Sequence, residues 1–286
     1  MEVTFYLNKD CNMNCSYCNQ KKMDKEHKKT DEQLLIDFEK WLDECIKYYK
    51  NIDLCLCGGE PGVWGINFLN NLFKIINKYS KNINSILMFT NGKLFNLGFE
   101  MGKVIDKVTY SWHCTDKIKD VILKKEYQRD VYSSAVVILT KNEIQYLDKF
   151  LKDNKEIGIN IQLAQKSFYT EGVEDFTLED YNEIIKILRN NKENISTFSI
   201  LAINAIRNKL RIKGADDIRR TCNNQSGQLL IDLVEDRIYK CCSYMGYIPL
   251  TSENLFRKDE LNKISCGDCI NGIAYYMYGG SAKCQI

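Results

Sequence analysis

Three cysteines stand close together near the start of the chain, in Asp10-Cys11-Asn12-Met13-Asn14-Cys15-Ser16-Tyr17-Cys18. Three thiolates on one short loop can wrap a single metal centre. Cysteine thiolates are the usual ligands of iron–sulfur clusters, which are saturated by four protein ligands. With only three supplied locally, one iron stays open to a small molecule. A structural zinc site closes itself with a nearby fourth Cys or His. The one such residue before Cys45 is His27, in a Lys-rich stretch that reads as a solvated loop. The cysteine loop directly follows a β-like run, Val3 to Asn8, so the thiolates are expected at the end of a strand.

A second set of cysteines lies far along the chain. Cys222 precedes an apolar run from Gln228 to Val234, a turn-like Glu235-Asp236 and a second run from Arg237 to Cys241. This pattern predicts a β-hairpin with one cysteine before it and one at its far end. Cys266-Gly267-Asp268-Cys269 follows as a CxxC. Four thiolates from two pairs close either a complete iron–sulfur site or an all-thiolate zinc site, and the spacing leaves both open. Cys242 directly follows Cys241. It is an alternative ligand, a free thiol, or a cysteine packed as a small hydrophobe.

The elements that position these residues alternate. Strand-like runs at Ile52 to Cys57, Ile83 to Thr90, Val104 to His113, Ser134 to Thr140 and Ile157 to Leu163 follow the first. Between and after them, helical spacing covers Asp31 to Tyr49, Ile66 to Lys78, Lys117 to Tyr127, Glu143 to Leu151 and Leu178 to Arg189. Strands alternating with helices predict an α/β fold with a parallel sheet. Cys45, Cys55 and Cys57 fall inside these runs and read as core. Cys114 and His113 fall at the end of the fourth strand, where the histidine reads as structural.

The composition is that of a globular protein: 286 residues, 44% hydrophobic and 27% charged. A net charge of +2 gives no general pull toward nucleic acid. No apolar run approaches the ~20 residues that span a bilayer. Thirteen cysteines behind an N-terminus that enters a strand almost at once, with no secretory signal, predict reduced thiols and metal. The expected compartment is the cytoplasm, with little oxygen.

Cys11-x3-Cys15-x2-Cys18 after a first strand, with Tyr17 before the third cysteine, resembles the signature loop of the radical S-adenosylmethionine (SAM) superfamily. Two further motifs are similar to that family's. Gly58-Gly59-Glu60-Pro61 ends the second strand, and Thr90-Asn91-Gly92 ends the third. The glycines let backbone approach closely, and Glu60 provides a carboxylate acceptor. The resemblance covers about residues 1–195. It implies a partial (β/α)6 TIM-like barrel, fewer than the eight units of a closed barrel, and a [4Fe-4S] cluster on Cys11, Cys15 and Cys18 with SAM on its open iron. Tyr17, Gly58, Gly59, Glu60, Pro61, Asn91, Ser111 and Arg129 are then the expected cofactor contacts.

Residues 196–286 resemble the auxiliary-cluster module called twitch, a shortened relative of the SPASM domain: a small β-hairpin plus helix iron–sulfur module. The resemblance implies one auxiliary [4Fe-4S] cluster on Cys222, Cys241, Cys266 and Cys269, since the full module carries more cysteines than remain with Cys242 and Cys284. The family has Gly at the hairpin turn where this chain has Asp236. The implied activity is a 5′-deoxyadenosyl radical that removes a hydrogen atom from a substrate, with Cys242 as a candidate hydrogen donor and Cys114 a weaker one. The expected substrate is a ribosomally made peptide that is epimerised, cross-linked or dehydrogenated, with an amino sugar or cyclitol as the alternative. The early first strand leaves no room for an N-terminal peptide-recognition domain, which weighs against the peptide. A one-electron donor such as flavodoxin or ferredoxin is the expected partner, with no nucleic acid and no membrane. A non-catalytic iron–sulfur electron carrier is the remote alternative.

Overall fold

A computed structural model describes residues 1–18, 29–92, 105–114, 132–164, 174, 176–211, 228–239 and 247–255. Six strands run parallel: β1 (Glu2–Tyr6), β2 (Ile52–Cys57), β3 (Ile83–Thr90), β4 (Lys107–Trp112), β5 (Tyr132–Leu139) and β6 (Ile159–Leu163). They pair in sequence order from β1 to β6, each step parallel. The helices α1 (Asp31–Tyr49), α2 (Ile66–Lys78), α3 (Ile144–Asp153), α4 (Leu178–Asn190) and α5 (Thr197–Arg211) complete the unit. This is the α/β arrangement expected from the alternating pattern. The expected helix from Lys117 to Tyr127 lies outside the described residues, and α5 had no counterpart in the sequence reading.

Successive strand residues point to opposite faces, and the two faces differ. One carries Val3, Phe5, Leu7, Leu54, Leu56, Tyr110, Trp112, Val137, Leu139, Ile161 and Leu163, which share a single core with the helices. Into it α1 sends Leu34, Phe38, Trp41, Leu42, Cys45 and Ile46, and Phe38 meets Phe5 edge-on at 4.9 Å. Thr30 starts α1 by accepting from Gln33 N at 3.2 Å, with Asp31 and Glu32 in the first turn. Such a cap contributes about 1 kcal/mol. The opposite, inner face holds two small clusters without helical residues: Tyr6, Cys57, Leu230 and Tyr239, and Val136, Ile138 and Ala164 with Tyr17 against them. Cys45 and Cys57 are therefore both core, as expected, Cys45 on the helix side and Cys57 on the inner face.

The C-terminal hairpin extends the same sheet. β7 (Gln228–Asp232) lies parallel beside β1, with Tyr6 opposite Asp232, and β8 (Arg237–Tyr239) and β9 (Tyr247–Pro249) follow antiparallel. The physical reason is in the run itself. Leu229 and Ile231 are buried on the helix side and Leu230 on the inner side, the two-sided burial of an interior strand. The hairpin turn places Asp236 at φ 52°, the left-handed region that Gly fills most easily and that Asp tolerates. No described helix is long and apolar enough to cross a membrane.

Candidate functional site

The cysteine loop leaves β1 and immediately runs along the end of β2. Leu7 N donates to Cys57 O at 3.0 Å, Gly59 N to Asn8 O at 2.5 Å, and Glu60 N to Asp10 O at 2.8 Å. This contact is why Gly58 and Gly59 are glycines. A Cβ on Gly59 would lie 1.9 Å from Asp10 O, and one on Gly58 would lie 2.4 Å from Asn8 O, with φ at +148°. The close backbone approach inferred from the sequence is thus made to the loop that carries Cys11. Pro61 is buried and opens a short 3-10 turn, Pro61–Val63.

Glu60 is fully buried. One carboxylate oxygen accepts from Gly62 N at 3.1 Å and from the Thr90 hydroxyl, and the other accepts from Asn91 N at 2.7 Å. Burial pushes its carboxyl up, and these three donors oppose the shift. The side chain therefore joins the end of β2 to the end of β3. From there Asn91 Nδ2 donates to Asn12 Oδ1 at 2.8 Å, which ties the β3 turn to the cysteine loop. Gly92, at φ 72°, closes that turn with its N–H on the Thr90 hydroxyl.

The three thiols lie on one short loop past the end of β1. Cys11 is exposed, and Cys15 and Cys18 are half-buried. Cys18 N donates to Cys15 O at 3.1 Å, and Met13 N approaches Cys11 Sγ at 3.4 Å. Burial raises the Cys11 thiol, and the nearby Glu60 and Cys15 add to it. Burial likewise raises Tyr17, reinforced by Cys15 and then Cys18. Tyr6, beneath the loop on the inner face, is raised by burial and feels Cys57, Cys18, Asp232 and Cys11 in that order. Among the described residues, no three His, Cys, Asp or Glu side chains close to the spacing of a single ion. Three thiolates on one loop fit a four-iron cluster, each on a different iron with the fourth iron open.

The far side of the loop is held by residues with no motif. The Tyr17 hydroxyl lies 3.0 Å from His113 Nε2, and His113 Nδ1 lies 3.1 Å from Glu143 Oε1. The other Glu143 oxygen accepts from Thr140 N at 3.0 Å and from the Thr140 hydroxyl at 2.7 Å. His113 is pushed up to about 10, first by its contact with Cys15 and then by Glu143. Burial raises the Glu143 carboxyl, but the hydrogen bonds from His113 and Thr140 outweigh it and hold the group below its usual range. Ser111 sits two residues before His113 on the inner face, half-buried. Glu143 was not singled out from the sequence. The spacing Thr140-x-x-Glu143, a capping-box signal, was the available clue.

Of the expected site residues, Cys11, Cys15, Cys18, Tyr17, Gly58, Gly59, Glu60, Pro61, Asn91 and Ser111 lie at the C-terminal ends of β1 to β4 or on the loop between β1 and α1. Arg129, Cys222, Cys241, Cys242, Cys266 and Cys269 lie outside the described residues. A buried ion pair does connect the cysteine loop to the hairpin. Lys9 meets Glu235, both side chains only 6% exposed, and Glu235 also meets Arg237.

Comparison with known proteins agrees with this geometry. Residues 1–137 match the family model described as a 4Fe-4S single cluster domain. The search of curated proteins found no match. Among solved structures, anSMEcpe with bound AdoMet superimposes with a TM-score of 0.64 at 16% identity, over 92% of this chain and 79% of that one. The two chains share a fold. Native anSMEcpe with bound AdoMet and Cp18Cys peptide gives 0.60 at 17% identity, over 92% and 81%. Streptococcus suis SuiB bound to precursor peptide SuiA gives 0.57 at 16% identity, over 96% of this chain and 66% of that one.

Proposed function

We propose that this protein is a radical SAM enzyme acting on a peptide. The observation that carries the reading is the placement of three cysteines on one loop at the C-terminal end of a parallel sheet, a loop fastened to GGEP and TNG turns. Cys11, Cys15 and Cys18 hold a [4Fe-4S] cluster with one iron free for SAM. When bound, the pair supplies a 5′-deoxyadenosyl radical able to remove a hydrogen atom from a strong C–H bond.

The chain's own residues bind, orient and shield. Gly58 to Pro61 and Thr90 to Gly92 would hold the methionine end of SAM. Ser111 and Arg129 would hold its other polar groups. The Tyr17 ring covers the inner face at Val136, Ile138 and Ala164, and this apolar lining keeps water from the reacting centre. The fold forms residues 1–195, followed by an auxiliary module, 196–286, whose Cys222, Cys241, Cys266 and Cys269 hold a second [4Fe-4S] cluster. Cys242 would serve as the hydrogen-atom donor to the substrate. A flavodoxin or ferredoxin supplies the electron, and the enzyme works in the cytoplasm.

One observation favours a peptide, and a second shows room for a polar substrate. The solved structures of similar fold include anSMEcpe with a Cp18Cys peptide and SuiB with its precursor peptide. Within this chain, Thr4 Oγ1 and Gln162 Oε1 on the inner face are buried and have no partner among the described residues. Buried polar atoms are normally hydrogen-bonded, and a polar substrate of either class would meet that need.

The test is an anaerobic reaction with SAM, dithionite and candidate precursor peptides deuterated at Cα and in the side chains. Transfer of deuterium into 5′-deoxyadenosine from a peptide is the expected result. Deoxyadenosine that acquires deuterium only from labelled amino sugars or cyclitols would replace the peptide reading. Iron-loaded protein that forms no deoxyadenosine would leave an electron carrier. The Cys242→Ala variant is expected to cleave SAM at the normal rate and divert the substrate radical; normal product would remove Cys242 from the reaction.

A further inference from the structure

We propose that the hairpin turn Glu235-Asp236 is a positioning clamp on the first cysteine loop, holding it by an ion pair at each end. The inference takes from the function proposed above only that this loop carries the cluster. Two consecutive acidic residues of the turn meet the two lysines that flank the loop, Lys9 before the cysteines and Lys29 after them. Lys9 Nζ donates to Glu235 Oε1, and Lys29 Nζ donates to Asp236 Oδ1 at 2.6 Å.

A clamp needs a firm anchor, and the turn is one. Asp232 is fully buried, and its Oδ1 accepts from Val234 N at 2.9 Å and from Glu235 N at 3.1 Å. This is the side-chain turn that Asp makes readily. Leu250 N donates to Asp236 O at 2.7 Å, and Leu233 N donates to Tyr6 O at 3.0 Å, which fixes the end of β7 against the last residue of β1. Glu235 is aimed by its second oxygen, which accepts from Arg237 and, at 3.4 Å, from the Tyr239 hydroxyl.

The simpler account is an ordinary hairpin with stabilising charges, and Asp236 speaks against it. At φ 52° a glycine would hold the turn with less strain. Aspartate tolerates the conformation without improving it, and its side chain is what reaches Lys29. That lysine also donates to Asp37 Oδ2 of α1 at 2.7 Å, with its side chain 18% exposed, so it is held between the helix and the hairpin. An isolated surface pair contributes little. Here one pair is buried, the other is a bridge of three charges, and both end on the same turn. The hairpin that leads in sequence to Cys241 thus grips the loop that carries Cys11, Cys15 and Cys18.

Hydrogen exchange by mass spectrometry on the full chain without iron reads the clamp directly. Asp236→Asn keeps a residue that tolerates the turn and removes only the charge. Exchange in residues 9–18 is expected to rise by up to about fivefold, the range of a partly exposed ion pair, while β5 and α3 stay at the wild-type rate. Lys29→Gln should do the same, the double variant should add little, and Lys29→Arg should exchange as wild type. Glu235→Gln should loosen the loop further, since it breaks a buried pair; where it fails to fold, the other variants decide. In reconstituted protein treated with a chelator, the SAM-dependent EPR signal should decay faster in Asp236→Asn than in wild type. Loop exchange at the wild-type rate in Asp236→Asn and Lys29→Gln would overturn the proposal. A rise spread evenly over the chain, which marks a general stabiliser, or an unchanged decay of the EPR signal would overturn it too. Wild-type protein that takes up no iron would contradict the function proposed above, and the exchange measurement then decides the clamp alone.

Discussion

The cysteine loop is held from two sides, and the two sides are built differently. On the β2–β3 side the contacts are backbone against backbone, with Gly58 and Gly59 pressed on Asn8 and Asp10 and a buried Glu60 locking two turns together. On the β4–β5 side they are a line of side chains, Tyr17 to His113 to Glu143 to Thr140. The first side leaves no space to change and fixes where the loop runs. The second is a line of polar side chains whose replacement leaves the backbone path of the loop in place.

The largest expected effect comes from Gly59→Ala. Its Cβ would collide with Asp10 backbone, which cannot swing away as a side chain can. The cost is expected to be about 3 kcal/mol or more, read as a lower urea midpoint for the apo protein and little iron after reconstitution. Retention of full iron and stability would show that the loop is not seated on β2.

Glu60→Gln is next. The amide cannot accept at both positions, so one of the Thr90, Asn91 or Gly62 donors loses its partner in a buried place. A loss of about 1–3 kcal/mol in urea denaturation is expected, together with weaker SAM binding in equilibrium dialysis. Asn91→Ala removes the hydrogen bond to Asn12 and should cost about 1 kcal/mol by the same denaturation assay. At the bottom of the scale stands Glu143→Gln, where denaturation should show about 1 kcal/mol or less. If that variant proved as damaging as Gly59→Ala, the distinction between the two sides would fail. Chelation of iron should leave the far-UV circular dichroism unchanged, because hydrogen bonds hold the loop on both sides without metal.

The two sides also differ in how far they could be read from the chain. The β2–β3 side announces itself, since Gly-Gly-Glu-Pro and Thr-Asn-Gly are contiguous and need residue types that few other turns demand. Even there the role of Glu60 was legible only in part. The carboxylate was read as a ligand acceptor, and the structure spends it on Thr90, Asn91 and Gly62. His113 and Glu143 stand 30 residues apart and meet only because β4 and β5 are neighbours. A lone His at a strand end and a capping Glu each have an adequate local explanation, so nothing local points to their pairing. The strands themselves were readable within a few residues because the burial pattern sets them. The join of β7 to β1 was not, because a parallel pairing across more than 200 residues leaves no local trace beyond the two-sided apolar run.

The central claim is that Cys11, Cys15 and Cys18 hold a cluster whose open iron takes SAM. EPR spectra of the reduced, reconstituted protein with and without SAM test it directly, beside a variant with all three cysteines changed to Ala. The account predicts a four-iron signal whose g values move when SAM is added, and a variant in which that SAM-dependent signal is gone. A signal indifferent to SAM, or one that survives loss of the three cysteines unchanged, would contradict it.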